Sequence, residues 1–234
     1  MIKASFAGLN FVIENKYPYL ESIARDYIAD FAKPDISVAL SDENIEAERE
    51  FAEGDFSPQY LESSAVYRKI AEEISAFDAA VFHGAVIAVG SAAYAVTARS
   101  GVGKTTHLSL WLKEFSDVHI LNGDKPILRC IDGVIYAAGT PWRGKEGYGV
   151  NEMLPLRGIA FLERASENSA ERIKPDSAVL PLISQIYVPR SKGAGAVLSL
   201  VNKVVTAVPT FRLKVNMDPE AARVARRAFE KESI

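Results

Sequence analysis

The residues best suited to do chemistry lie in one run, Ala98-Arg99-Ser100-Gly101-Val102-Gly103-Lys104-Thr105, followed by Thr106. Gly101 and Gly103 can take positive φ, which turns successive backbone N–H groups inward as a cradle for phosphate oxygens. Lys104 then places a point charge on the β- and γ-phosphates of a nucleotide, and Thr105 offers a hydroxyl to Mg²⁺. Ala98 stands where such loops usually carry their first glycine. That position closes a turn and need not touch phosphate. Nucleotide contacts are therefore expected from Ser100, Gly101, Val102, Gly103, Lys104, Thr105 and Thr106, with ATP or GTP as the ligand.

A phosphate loop needs a strand to deliver it and a helix to leave it. Residues 93–98 read as an apolar strand. Residues 104–115 read as an amphipathic helix that buries Leu108, Leu110, Trp111 and Leu112. The helix adds unpaired N-terminal donors and the positive end of its dipole. Upstream, residues 85–89 form another apolar strand, separated from the first by Gly90-Ser91-Ala92 alone. So short a link cannot hold a parallel crossover and must be a hairpin. An antiparallel partner beside the phosphate-loop strand predicts an α/β fold with a mixed sheet, unlike the parallel sheets fed by helical crossovers. Downstream, the strand 118–122 closes at Gly123-Asp124-Lys125-Pro126. An acid at that strand end is placed to hold Mg²⁺ or to deprotonate an acceptor. Residues 139–149 form a glycine-rich loop with cations and aromatics, suited to closing over a nucleotide or a second substrate.

The remaining elements frame this centre. Residues 2–14 alternate as a hairpin around Gly8, 19–31 have helical spacing, and 36–40 read as a strand. Ser41 caps a helix whose acidic residues Asp42, Glu43, Glu46, Glu48 and Glu50 are expected in solvent. Ser57 caps another with Pro58 at its first position, running to residue 77. A strand at 79–82 ends in His83-Gly84. A hairpin at 127–131 and 134–137 turns at Asp132-Gly133, and a strand at 154–162 is interrupted by Arg157-Gly158. Helices follow at 178–186 and, beyond a link at 191–195, up to residue 206. A strand at 210–215 precedes a final helix opened by Asp218-Pro219-Glu220, with Ala222, Val224, Ala225 and Phe229 facing inward. Two units are expected: an α+β extension at 1–77 packed on the core, and a nucleotide-binding domain at 78–234. The extension's few strands would be marginal alone, so they are expected to join the main sheet.

Bulk properties narrow the class. The 234 residues are 48% hydrophobic and 24% charged, ordinary for a globular chain that buries a full core. A net charge of −3 argues against general nucleic-acid or membrane-surface binding. The lone Cys130 excludes an internal disulfide and a cysteine zinc cluster, and reads as core alongside Leu128. With no membrane-spanning apolar run and no signal-peptide profile, a cytoplasmic location is the expectation. A homo-oligomer is compatible with this composition.

Taken in order, several stretches resemble HPr kinase/phosphorylase, and still more the small HPr-kinase-like proteins. They are His83-Gly84, the hairpin, Ser100-Gly101-Val102-Gly103-Lys104-Thr105, the strand ending at Asp124, Gly139-Thr140-Pro141-Trp142 and Arg157-Gly158-Ile159. The likeness covers residues 79–164 well and the rest loosely. It implies the nucleotide-binding fold of phosphoenolpyruvate carboxykinase, with its mixed sheet. It also implies that Lys104 and the Gly101–Gly103 backbone hold a triphosphate, and that Thr105 and Asp124 serve Mg²⁺. Asp124, His83 and Arg157 would line the phosphotransfer site, the arginine offsetting charge on the moving group.

The family shows two adjacent aspartates where this chain has Gly123-Asp124. One carboxylate then has to serve both metal and acceptor, unless Glu146 rebuilds the site. Residues 1–77 do not match the family's regulatory domain, so the protein HPr is not carried over as substrate. Two functions follow: a Mg²⁺- and ATP-dependent kinase acting on a hydroxyl of a small molecule or peptide, or a non-catalytic nucleotide-binding module. On the second, a Gly123→Asp change should restore turnover. Carboxykinase chemistry on an oxo-acid is a weaker third reading.

Overall fold

The computed structural model describes residues 1–51, 54–99, 101–190 and 193–231. At the N-terminus, β1 (Ile2–Phe6) and β2 (Leu9–Ile13) pair antiparallel about Ala7 and Gly8, whose φ angles of 52° and 67° suit a tight hairpin turn. There follow α1 (Pro18–Ala24), β3 (Ile36–Val38), which lies parallel to β2, α2 (Asp42–Glu46) and α3 (Pro58–Glu73). Every second residue of β1 and β2 is buried, so one face of this ribbon must be covered. Leu20, Val66 and Ile70 from the helices cover it, together with Ala79, Val81, Ile127 and Ala138 from the next unit.

Residues 1–77 therefore do not join the main sheet, contrary to expectation; β1-β2-β3 is a sheet of its own. Sharing a core with the larger unit supplies what three short strands lack. Phe6 stacks on Phe11 at 4.1 Å and meets Trp142 edge-on at 6.3 Å, tying the two units through aromatic contact.

The larger unit comprises β4 (Ala79–Val81), β5 (Ala85–Val89), β6 (Ala92–Thr97), α4 (Lys104–Glu114) and β7 (Val118–Asn122). It continues with β8 (Ile127–Ile131), β9 (Val134–Ala138), β10 (Met153–Arg164), β11 (Ser169–Ile173) and α5 (Pro175–Ile183). It closes with α6 (Ala194–Ala207), β12 (Thr210–Val215) and α7 (Glu220–Lys231). The strand order is β4-β8-β9-β10-β6-β5-β7, with β12 bound to β10 and β11. β5 and β6 are the antiparallel hairpin, while β10 is parallel to β6 and β12 and antiparallel to β9. The chain is α/β with mixed sheets. The Arg157-Gly158 interruption is a register shift within one long strand rather than a break. Gly158 is required there, because a Cβ would lie 2.5 Å from the ring of Phe229.

β5 and β6 read as continuous apolar runs because both their faces are covered. Val86, Ala88, Ala93 and Ala95 pack with residues of α5 and α6. Ala85, Ile87, Tyr94 and Val96 pack with residues of α4 and α7. Helix α4 buries Leu108, Leu110 and Trp111, whereas Leu112 is exposed at the rim. Trp111 Nε1 donates to His107 Nε2 at 3.0 Å. Burial pushes the His107 imidazole down to about 4. The unfolded chain takes up this proton near pH 6.5 and the folded chain only near 4, so its contribution is complete above 6.5 and is lost as pH falls toward 4. The loss is on the order of 3 kcal/mol. His107→Gln keeps an acceptor for Trp111 but does not titrate, so its melting temperature should fall less between pH 7 and 4.5 than that of the unmodified chain. Equal falls would refute the assignment.

Several local expectations are corrected. The helix from residue 19 ends at Ala24 and passes into a 3₁₀ turn at Arg25–Tyr27, because Ile28 bridges to Ala4 and the small sheet captures the chain. Ser41 caps α2 with a reciprocal bond to Asn44, but the Ser57 side chain makes no capping bond. Glu48 is buried rather than solvated, paired with Arg68 at 2.7 and 2.9 Å. Cys130 is half-buried at the core's edge. Strand β11, polar and edge-like, had no periodic signal. The link at 191–195 lies partly outside the described residues. Among the described residues no helix is long and apolar enough to cross a membrane.

Candidate functional site

β6 ends at Thr97, whose hydroxyl donates to the His83 carbonyl at 2.7 Å and so ties the loop's approach to the end of β4. The chain then turns through Arg99 to Gly101 and Gly103, at φ 77° and 119°, values at which only glycine is unstrained. Ser100 lies outside the described residues. Gly103 opens α4, and Thr105 and Thr106 are exposed on its first turn. Val102 instead turns inward and packs against the core beneath α4. Lys104 Nζ folds back to donate to the Ala98 carbonyl at 3.2 Å. Burial holds its pKa below the usual lysine range, with Asp124 pulling the other way.

Opposite the loop, β7 ends at the fully buried Asn122. Its Oδ1 accepts from the Asp124 and Lys125 N–H groups at 2.9 and 2.8 Å, and its amide donates to Thr140. This Asx turn presents Asp124 and Lys125 to the cleft. Asp124 Oδ1 lies 3.7 Å from His83 Nε2, and Oδ2 accepts from Lys125 Nζ at 2.7 Å. Burial first, then Lys125 and Lys104, push the His83 pKa down against the pull of Asp124, so the imidazole is neutral at pH 7.

Gly123 is not a simple gap in an acidic pair. A Cβ there would lie 2.9 Å from the Arg143 carbonyl oxygen, and its N–H donates to Tyr148 O at 3.0 Å. The 139–149 loop occupies the space an aspartate would need. Gly123→Asp would displace that loop as well as add a carboxylate, so the change alters more than the number of acids. Gly144 presses equally close on the other side, its Cβ position 2.9 Å from that of Asp124.

These parts line one cleft of about 1210 Å³, walled by the loop, the end of β7, residues 141–147 and α3. His83, Gly101, Gly103, Lys104, Thr105, Thr106, Asp124 and Glu146 all face it. Arg157 does not. It sits exposed at the β10 bulge, beside the start of β6 at Ala93 and Tyr94, whereas the loop leaves the far end of β6, opposite Phe161. The β10 arginine that reaches the loop is Arg164, whose Nε donates to Val102 O at 2.9 Å and whose guanidinium also reaches Gly101 O. Sequence reasoning missed it. The parallel pairing of β10 with β6 was the signal, but the register decides which arginine arrives. Also missed was the α3 wall, including Tyr67 and Arg68.

Charge in the cleft opposes that of the chain. Arg68 is neutralised by Glu48, and Arg143 by Asp26 at 2.6 Å. That leaves Arg99, Lys104, Lys125, Lys145 and Arg164 against Asp124 and Glu146. A polyanion is the occupant such a surface favours. His119 pairs with Glu152 at 2.7 Å, away from the cleft. Among the described residues no group of three or more His, Cys, Asp or Glu side chains is arranged to hold a metal. Thr105 and Asp124 both bring oxygens to the cleft, the donor type Mg²⁺ takes alongside water and phosphate.

No protein-family model matches this chain, and no curated protein does. Among solved structures, one that is similar is the Hpr(Ser) kinase/phosphatase from Coxiella burnetii, with a TM-score of 0.39 and 9% sequence identity over 65% of this chain and 92% of that one. At that score the likeness adds nothing to what the cleft itself shows.

Proposed function

We propose that this chain binds a nucleoside triphosphate, ATP or GTP, through residues 99–106 and transfers its terminal phosphoryl group to a hydroxyl of a small molecule or peptide. The observation that carries the reading is that the positive-φ loop, Lys104 and the strand-end carboxylate Asp124 line one cationic cleft. The sheet, with β5 antiparallel to the phosphate-loop strand, supports assigning it the phosphoenolpyruvate carboxykinase-like fold.

In this reading the backbone N–H groups of the loop and the N-terminus of α4 hold the phosphates, and Lys104 offsets their charge. Mg²⁺, held by Thr105 and Asp124, supplies further neutralisation of the triphosphate. Asp124 orients the acceptor hydroxyl and takes its proton while the acceptor oxygen bonds to the γ-phosphorus and the bond to the β-phosphate oxygen breaks. Neutral His83, its Nε2 3.7 Å from Asp124 Oδ1 and not hydrogen-bonded to it, stands next to the carboxylate as the group to relay the proton outward. Arg164 braces the loop through its carbonyls rather than touching phosphate.

Transfer of labelled γ-phosphate to a panel of hydroxyl acceptors tests this. Asp124→Asn should lower transfer by roughly 10²–10⁴-fold while nucleotide still binds. A specific observation favours the non-catalytic alternative: Asp124 is already engaged by Lys125, and its neighbouring position has no room for a second acid. Nucleotide binding without transfer to any acceptor would decide for that alternative.

A further inference from the structure

We infer that Lys125 is a second phosphate-binding lysine, exchanging Asp124 for the terminal phosphate when a nucleoside triphosphate binds. This rests on the nucleotide reading above. The main chain of Lys125 is held on both sides. Its N–H donates to Asn122 Oδ1 at 2.8 Å and its carbonyl accepts from Thr140 Oγ1 at 2.7 Å. Pro126 follows, which restricts Lys125 to extended backbone. Only the side chain can move, and it is anchored beside the one carboxylate at this strand end.

That side chain lines the cleft, and its contact with Asp124 Oδ2 uses one of the three donors of an ammonium. The pair is only a quarter to a third exposed, at 25% and 32%, so it separates only where an arriving phosphate replaces the carboxylate as the partner of the ammonium. Lys104 also lies within electrostatic reach of Asp124. Two ammonium groups thus converge on one carboxylate, leaving surplus positive charge where a dianionic phosphate would sit. The two lysines approach from different elements. Lys104 rises from the first turn of α4 behind the loop, whereas Lys125 comes from the end of β7, beside the group that would meet the acceptor. Lys104 therefore serves the β-phosphate common to di- and triphosphates as well as the γ-phosphate, and Lys125 the terminal one alone. When Lys125 turns to that phosphate, it also releases Asp124 Oδ2 for the metal or the acceptor.

The experiment compares the binding of ADP and of a non-hydrolysable ATP analogue to the full chain and to Lys125→Met, which keeps the stem and removes the charge. Loss of one charge-assisted contact predicts that triphosphate affinity falls roughly ten- to hundredfold, with ADP affinity nearly unchanged. Lys125→Arg should recover part of the ratio. In the absence of nucleotide, Mn²⁺ bound to Lys125→Met and read by paramagnetic resonance should bind more tightly than to the unmodified chain, because Asp124 has lost its competing ammonium. Equal loss for both nucleotides, or no loss for either, overturns the role of Lys125. If the unmodified chain binds neither nucleotide, the nucleotide reading itself fails, and this inference with it.

Discussion

A Lys104→Ala chain is expected to keep its fold and lose its thermal response to Mg-ATP. Among the described residues Lys104 makes one hydrogen bond, to the Ala98 carbonyl, and it is only half-buried, so its removal leaves the core untouched. Burial without a full set of partners depresses its pKa, which marks an ammonium that stands to gain from an arriving phosphate. For the unmodified chain, ligand at about a hundredfold over Kd adds roughly 2.7 kcal/mol. At this chain length that corresponds to about 5–10 °C in melting temperature. The glycine loop and α4 dipole remain in the variant, so some affinity survives, but at the same ligand concentration the shift should nearly vanish. An equal shift in both proteins would mean that nucleotide binds somewhere other than this loop.

The second large effect concerns stability. Trp111→Ala should destabilise the chain by roughly 3–5 kcal/mol, the range for emptying a fully buried aromatic site. Trp111 is 0% exposed, meets Phe115 edge-on at 5.2 Å and touches Phe229 of α7 at 6.4 Å. It thereby wedges α4 against α7. Removing it also takes the donor from His107 Nε2, whose other nitrogen already lacks a partner among the described residues. The ion pairs nearby, Arg223–Glu114 between α7 and α4 and Arg226–Asp117 between α7 and the turn after α4, each have one partner about half exposed and cannot make up the loss. Since α4 carries the phosphate loop, saturating Mg-ATP should restore part of the lost melting temperature. A variant within 1 kcal/mol of the parent would show that the site collapses around the vacancy at little cost.

Much of this protein was legible where conformation is decided locally. The loop could be read because Gly101 and Gly103 stand where φ must be positive, and the hairpin because a link of three residues allows no other connection. The end of β7 followed from the spacing of a strand behind the loop helix, and Asp124 was found at that end. The strand Thr210–Val215 was expected at its observed bounds because its apolar period is clean and its flanks are punctuated. In the acid-rich run the reading held for Asp42, Glu43, Glu46 and Glu50, which are exposed, and failed at Glu48. Glu48 looked like any other member of a solvated face until Arg68 met it from α3. The residues of β11 carry no period at all, and only β12 beside them makes them a strand.

The sequence by itself determined which residues can cradle phosphate, that an antiparallel strand lies beside them, and that one carboxylate stands at the next strand end. These depend on backbone freedom and chain length, both of which are properties of a few consecutive residues. The tertiary structure alone decided which arginine braces the loop, that residues 1–77 form a separate sheet and wall the cleft with α1 and α3, and that Lys125 sits on Asp124. The first two depend on register or packing between segments far apart in the chain, and the third on the turn that Asn122 and Thr140 hold. Arg157 and Arg164 lie seven residues apart on β10, and nothing local to either arginine records which of them meets the loop.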